Sequence, residues 1–409
     1  MRVLIIPLIV LSVSAHARYT KLDDALLGGT KSVELILFGK YTERTKGYLN
    51  ASVGLGYTTG FFYNFRASIS FFATQNLFTT QGTFGKDFRG ANKTVIGENS
   101  ILLNESFLEY FDGDTNIKAG RIQPINEYVN NLTDGIWIRN ASLKNLVLDG
   151  FWAFTVGRVS YYQMNPFQRL GGAEGAGLFS FGAKYFLTDK RGFKDSMHLS
   201  AFTSFVPGVF ATVGLRWHWG LRLGKGETWL GVDAGIVGSF EDKKSKFAVD
   251  SNTFLFDAKV SFGFSWLDLS AGYAAAGQGG LGGINALGIG GGVQGDKNAF
   301  YSALIPFFVW GGDAFKLGRN AQLIYAAGRL RFFEDRLVVY VAYGMTFFDG
   351  YTGRYGRDTA KGLIQNELDV MTEFSITKTL SVIAYMSDIH LGRGVPNNFL
   401  VNAALRFAF

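Results

Sequence analysis

A chain of 409 residues with 53 glycines, 39 phenylalanines, 6 prolines and no cysteine has no route to disulfides, Cys-ligated zinc or thiol chemistry. At 18% charged and 16% aromatic residues it is too aromatic and too poor in charge for an ordinary soluble domain of this size. The net charge of +7 is a mild excess of 40 basic over 33 acidic residues, spread along the chain, so there is no basic arm or block to suggest a nucleic-acid partner.

The chain opens MRVLIIPLIVLSVSAHAR, with a positive Arg2, an apolar core over Val3 to Ala15 and an A-x-A step at Ala15-His16-Ala17. This predicts a secretory signal cleaved after Ala17, with residues 18–409 forming one mature domain. The competing reading, a retained anchor, needs about 20 apolar residues, more than this core supplies. Further on, Leu269 to Gly295 is uncharged over a membrane-crossing length but holds 11 glycines. Each glycine costs about 1 kcal/mol against alanine in a helix, so a spanning helix is excluded there.

From Ser32 onward the recurring signal is alternation of period two, in segments of roughly 9 to 12 residues. Phe254, Phe256, Ala258, Val260, Phe262 and Phe264 share one face, opposite Asp257, Lys259 and Ser261. Phe61 to Phe71 repeats the pattern, with Phe61, Tyr63, Phe65, Ala67, Ile69 and Phe71 opposite Asn64, Arg66, Ser68 and Ser70. Leu337, Val339, Val341, Tyr343 and Met345 make a third stripe.

Segments of this kind begin near Ser32, Tyr48, Phe61, Leu102, Thr115, Gly135, Val147, Gly177, Ser196, Val209, Thr228, Thr253, Trp266, Arg319, Arg336, Gln365, Thr379 and Asn398. A further one, Ala299 to Trp310, holds Pro306, which cannot donate to a ladder. Strand parity decides its status: without it the tight connections all fall on one side and the long ones, including 276–318, on the other. The expected fold is therefore all-β, a transmembrane antiparallel barrel of 18 strands, with long external loops folding partly into the lumen. The last segment, FLVNAALRFAF, puts Phe399, Val401, Ala403, Leu405, Phe407 and Phe409 on one face, with Asn402 and Arg406 on the other. A final strand ending in phenylalanine resembles the signal that such barrels present to the barrel-assembly machinery, here through Phe409.

Residues 213–223, VGLRWHWGLRL, look like a metal or nucleic-acid cluster until the alternation is applied. Val213, Leu215, Trp217, Trp219, Leu221 and Leu223 then face lipid, whereas Arg216, His218 and Arg222 face water. No catalytic or metal motif is present: the four histidines lie far apart, no HExxH, GxSxG or Walker spacing occurs, and Gly277 to Gly282 matches GxGxxG without a following helix. No enzyme activity, cofactor or metal is expected.

The same parity sends Arg66, Lys184, Arg216, Arg222, Lys259, Arg329, Arg331 and Arg406 into the lumen, together with Asp257, Glu367, Asp369 and Glu373. Fixed charges in a narrow aqueous pore bias which ions pass, although the same charges could serve only to keep the lumen wet and cross-brace the wall. The polar loop Ile122 to Asp134 supplies Asn126, Glu127, Asn130 and Asn131 as candidates for a constriction, or else is an exposed surface loop.

NESFLEYFDGDTNIKAGRIQPINEYVNN (104–131), followed by LKNLVLDGFWAFTVGRV (143–159), resembles the OprD-like outer-membrane porins, in particular their epsilonproteobacterial branch. The shared pattern is a strand, a Gly-Asp turn, a strand ending in Gly-Arg, a proline-bearing loop and a strand carrying an Asp-Gly step. The resemblance implies 18 strands, a constriction by the third and seventh external loops (here 122–134 and 276–318), and a ladder of basic residues along the lumen. By position Arg121, Arg139, Arg216, Arg222, Arg329 and Arg331 match that ladder. The seventh loop departs from the pattern in being glycine-rich and uncharged.

The expectation is a bacterial outer-membrane porin for passive diffusion of small hydrophilic solutes such as carboxylates, amino acids and ions, set in phospholipid and lipopolysaccharide. A homotrimer is one assembly open to it. The alternatives are an adhesin or structural barrel whose pore is incidental, and a barrel hydrolase using His198 or His390.

Overall fold

The computed structural model describes residues 18–43, 46–79, 101–124, 132–160, 163–170, 175–188, 194–224, 227–241, 252–279, 318–350, 361–391 and 398–409. The signal segment ending at Ala17, the segment 299–310 and the candidate constriction residues Asn126, Glu127, Asn130 and Asn131 lie outside these.

Eighteen long strands make the wall: β1 (Thr30–Thr42), β2 (Lys46–Thr58), β3 (Phe65–Thr79), β4 (Ile101–Phe111), β5 (Thr115–Ile122), β6 (Leu132–Asn140), β7 (Leu146–Ser160), β8 (Leu178–Phe186) and β9 (Met197–Val206). They continue as β10 (Phe210–Arg222), β11 (Trp229–Glu241), β12 (Thr253–Phe264), β13 (Leu267–Ala276), β14 (Gln322–Phe332), β15 (Leu337–Phe348), β16 (Leu363–Ser375), β17 (Leu380–Leu391) and β18 (Asn398–Ala408). Each pairs antiparallel with its neighbour in sequence, and β1 pairs with β18 from Glu34↔Ala408 to Thr42↔Leu400, which closes the sheet on itself. The terminal Phe409 exchanges backbone hydrogen bonds with Val33 at 2.9 and 3.1 Å, extending that seam. Closure leaves no unpaired strand edge, the condition a sheet must meet in lipid.

The alternation runs as the sequence predicts. Along β12 the odd positions from Thr253 to Gly263 are buried, while Phe254, Phe256, Val260 and Phe262 are 38–52% exposed. Leu215, Val213, Ile236, Ile324 and Tyr343 are likewise exposed on neighbouring strands, so the outer wall is one continuous apolar belt. An apolar surface of that extent requires lipid against it rather than water. Among the described residues no helix is long and apolar enough to cross a membrane.

Arg18, Phe409 and the connections 112–114, 141–145, 265–266, 333–336 and 376–379 gather at one end of the barrel, the turn end. The strand ends Thr79 and Ile101, Ile122 and Leu132, Glu241 and Thr253, Ala276 and Gln322, and Phe348 and Leu363 lie at the other, the loop end, where the short connection 207–209 also lies.

Three features were not in the pattern. The segment read as starting at Phe61 enters the wall only at Phe65, because Tyr63 takes a positive φ of 53° and interrupts the alternation. Phe61 therefore turns inward, 5% exposed, and lies under the Arg66 guanidinium at 4.8 Å. A short helix, α1 (Leu22–Leu27), is held at the turn-end rim, where Gly60 N–H donates to the Ala25 carbonyl at 2.8 Å. Finally, Gln163–Arg169 forms an extra strand on the loop-end part of β7, inside what reads as loop.

The β4–β5 turn, outside the spanning strands, is fixed by Asp112, whose carboxylate accepts the Thr115 and Asp114 N–H groups at 2.8 and 3.0 Å. These bonds hold its pKa below the usual aspartate value of 3.8. A depressed pKa means stability that is present above the unfolded value and lost as pH falls through the folded one. Asp112→Ala is expected to lower the urea midpoint at pH 7, with the gap to the parent closing as pH drops below 3.8; a pH-independent gap would refute the account.

Candidate functional site: a charged inner wall

Because side chains alternate strictly, residues paired across successive strands form inward rows. One row runs His198, His218, Asp233, Lys259, Gly272, Tyr325, Gly344, Glu367 across β9 to β16. The next row toward the loop end runs Lys184, Ser200, Arg216, Gly235, Asp257, Ala274, Leu323, Thr346, Gln365. Sequence alternation thus delivers ionisable groups from distant segments onto one patch.

At its centre is Asp233, 1% exposed. Its Oδ1 lies 2.8 Å from His218 Nδ1 and 3.6 Å from the Arg216 guanidinium, and its Oδ2 lies 3.2 Å from Lys259 Nζ. The carboxylate favours a proton on Nδ1, so His218 donates to it. One acid thereby holds Arg216, Lys259 and an imidazole. Asp257, 1% exposed one row above, differs: neither of its carboxylate oxygens has a hydrogen-bond partner among the described residues. Gly272 leaves the space into which the Tyr325 phenol extends, since a Cβ there would meet its oxygen at 2.4 Å. Arg216 and Lys259 against Asp233 separate charge inside the patch, with the buried Asp257 carboxyl beside them.

Farther round, β16 and β17 carry acid and phenol. Tyr385 donates to Asp369 at 3.0 Å and Gln365 to Glu367 at 3.2 Å, with Tyr340 buried beside them. Glu373 sits four residues beyond Asp369, on the same inward parity. Near the turn end Arg331 pairs with Asp268 at 2.9 Å, and Arg329 stands opposite Asp268 in register. Across the barrel Arg66 pairs with Glu109, which Lys118 approaches to 4.0 Å, and Arg406 pairs with Glu34. Arg139 faces Asp149 across the β6–β7 ladder, and Lys184 lies on the inward row of β8. Arg222 is inward by parity and exposed, at the end of β10.

Arg121 is a correction. It is Ile122 that joins the inward cluster with Trp137 and Phe151, while Arg121 lies on the opposite parity, paired with Asp134 at 2.7 Å and stacked on Phe167 at 3.5 Å. Alternation alone gives this: Lys118, opposite the buried Trp137, and Ile122 share the inward parity of β5, so Arg121, which matched the basic ladder only by position in the family resemblance, falls on the outer face.

Two further points were missed from the sequence. His198 does not stand alone: its ring lies 4.8 Å from that of His218, its cross-strand neighbour. The acids that organise the cations, Glu34, Glu109, Asp233 and Asp268, were not picked out, although each lies on the inward parity of its strand. His390 and Asp388, 3.0 Å apart, lie on the outward parity of β17. No cluster able to hold a metal ion occurs among the described residues.

No protein-family model and no curated protein matches the chain. Solved structures do match its fold. The crystal structure of Pseudomonas aeruginosa OpdK with vanillate superposes with a TM-score of 0.69 at 12% identity, covering 94% of this chain and 99% of that one. Pseudomonas aeruginosa OccK8 (OprE) gives 0.69 at 13% identity, covering 94% and 99%. Pseudomonas aeruginosa OprD gives 0.67 at 11% identity, covering 96% and 97%. At these identities the likeness is one of architecture: a closed antiparallel barrel of 18 strands.

Proposed function

We propose that this chain is an outer-membrane porin through which small hydrophilic solutes diffuse passively, with anionic and zwitterionic ones favoured. The observation that carries the reading is the pairing of a continuous apolar outer belt with an inner wall of paired charges, Arg216, Asp233 and Lys259 at its heart. A structural barrel needs the first, whereas fixed charge lining an aqueous lumen biases which ions and zwitterions pass. The overlay on OpdK, solved with vanillate, an aromatic carboxylate, supports a carboxylate as the solute class. The resemblance of residues 104–131 and 143–159 to epsilonproteobacterial OprD-like porins supports the same class.

In this reading the turn end is periplasmic and the loop end external, the chain is exported with cleavage after Ala17, and the third and seventh external loops narrow the lumen. Phe409, 64% exposed beside β1, is the contact offered to the assembly machinery. Purified protein added to a planar lipid bilayer is expected to give stepwise, voltage-stable conductance increments. A folded protein that inserts without any conductance step would overturn the porin and leave a structural barrel.

A further inference from the structure

On the outer wall, where β5, β6 and β7 approach the loop end, a notch of about 310 Å³ opens toward the surroundings. Ala119, Ile136 and Trp152 pair across the three strands on the outward parity and form its mouth. Its floor is Gly120 and Gly135, whose backbones approach neighbouring strands too closely for a side chain: a Cβ on Gly135 would meet the Trp152 carbonyl at 2.0 Å, and one on Gly120 the Ser106 carbonyl at 2.4 Å. The notch is therefore built into the ladder rather than left by loose packing. Phe154 completes its apolar side. Above Phe154, 4.4 Å from the ring centre, is the guanidinium of the exposed Arg169, while Arg121 and Asp134 close the rim as a mutually neutralised pair.

We infer that this notch binds one molecule of lipid A, the phosphorylated, multiply acylated anchor of lipopolysaccharide, with an acyl chain in the notch and a phosphate at Arg169. The inference rests on the outer-membrane reading above, which places the loop end in the outer leaflet. Three observations select the occupant. The notch interrupts the lipid-facing belt, whose nearby residues Leu108, Ile138 and Leu148 are 41–54% exposed, so a hydrocarbon chain is what lies against it. Strands β5 to β7 are paired along the notch, so no free backbone edge is offered to a peptide. The rim cation sits on the loop side, where a lipid phosphate would lie, and guanidinium matches phosphate in a planar, bidentate geometry.

The test uses the full-length barrel in detergent, with lipid retention read by native mass spectrometry. Bisphosphorylated lipid A is expected to be retained at about tenfold lower concentration than phosphatidylglycerol or dephosphorylated lipid A. Ala119→Leu, which fills the notch from an exposed position, and Arg169→Glu should each weaken retention by about tenfold, while Arg169→Lys keeps most of it. Conductance of both variants should equal the parent's, because neither side chain faces the lumen. Equal retention of all three lipids, or variants that bind lipid A like the parent, would overturn the inference. Loss of conductance in the parent with notch-dependent lipid A retention intact would instead sink the porin reading and leave the notch standing.

Discussion

Asp233→Ala is expected to be the most destabilising single change in the inner wall, lowering unfolding stability by about 3 kcal/mol. The carboxylate holds His218 at 2.8 Å, Lys259 at 3.2 Å and Arg216 at 3.6 Å, and all four groups are at least 94% buried. Removing it strands two cations side by side without their counter-ion, and breaking a buried pair from one side costs more than the pair contributes. Asp257→Ala is the informative comparison. Its oxygens accept no hydrogen bond among the described residues, so its loss removes a buried polar group whose burial is offset by no bond. Urea unfolding in detergent micelles should give a much lower midpoint for Asp233→Ala and a midpoint near the parent's for Asp257→Ala. Equal effects would show that the wall is held by general charge balance and not by the Asp233 contacts.

The contrast between these two aspartates also marks what the sequence could and could not convey. Every barrel strand was legible because lipid outside and polar lumen inside enforce period two with few exceptions, and VGLRWHWGLRL resolved correctly into lipid-facing tryptophans and lumen-facing Arg216 and His218. Alternation says which face a residue occupies but not how high it stands against a residue 15 or 40 positions away. Register across strands supplies that height, and it is set by the summed hydrogen bonding of whole ladders. The cations were therefore found as a set, while their acids Asp233, Glu109, Glu34 and Asp268 and the meeting of His198 with His218 were not. Arg121 failed for a different reason: it was assigned by position against the family's ladder, and the alternation running through Lys118 and Ile122 puts it on the outer face.

The resulting ladder is a chain of ion pairs rather than a row of bare cations, and this changes how selectivity is built. Arg66, Arg216, Lys259, Arg331 and Arg406 all have a carboxylate within 4 Å, so each presents a dipole to the lumen as well as a charge. In the proposed porin, a solute carboxylate passing the partly exposed Arg66 or Arg406 competes with Glu109 or Glu34 for the same donors. Such competition favours brief exchange over tight capture, as a diffusive channel needs.

Neutralising Arg216 and Arg222 together should lower the anion-to-cation permeability ratio about fivefold, the factor that corresponds to ~1 kcal/mol for a unit charge about 4 Å from a permeating ion in water. The two residues do not contribute equally. Arg222 is exposed at the end of β10, where counter-ions screen it within a Debye length of about 8 Å at physiological salt, so Arg222→Ala alone should move the reversal potential little. Arg216 is 6% exposed and faces Asp233 at 3.6 Å together with Lys259. Without it the patch is one charge more negative, which repels anions and attracts cations at the same height in the lumen. Reversal potentials in a salt gradient should therefore shift toward cation preference in Arg216→Ala, nearly as far in the single variant as in the double, and the shift should shrink as total salt is raised. Lys259→Ala, which removes the other cation facing Asp233, should act in the same direction by a similar amount. Unchanged reversal potentials in all of these variants would mean that the charged wall braces the barrel and that selection occurs elsewhere along the pore.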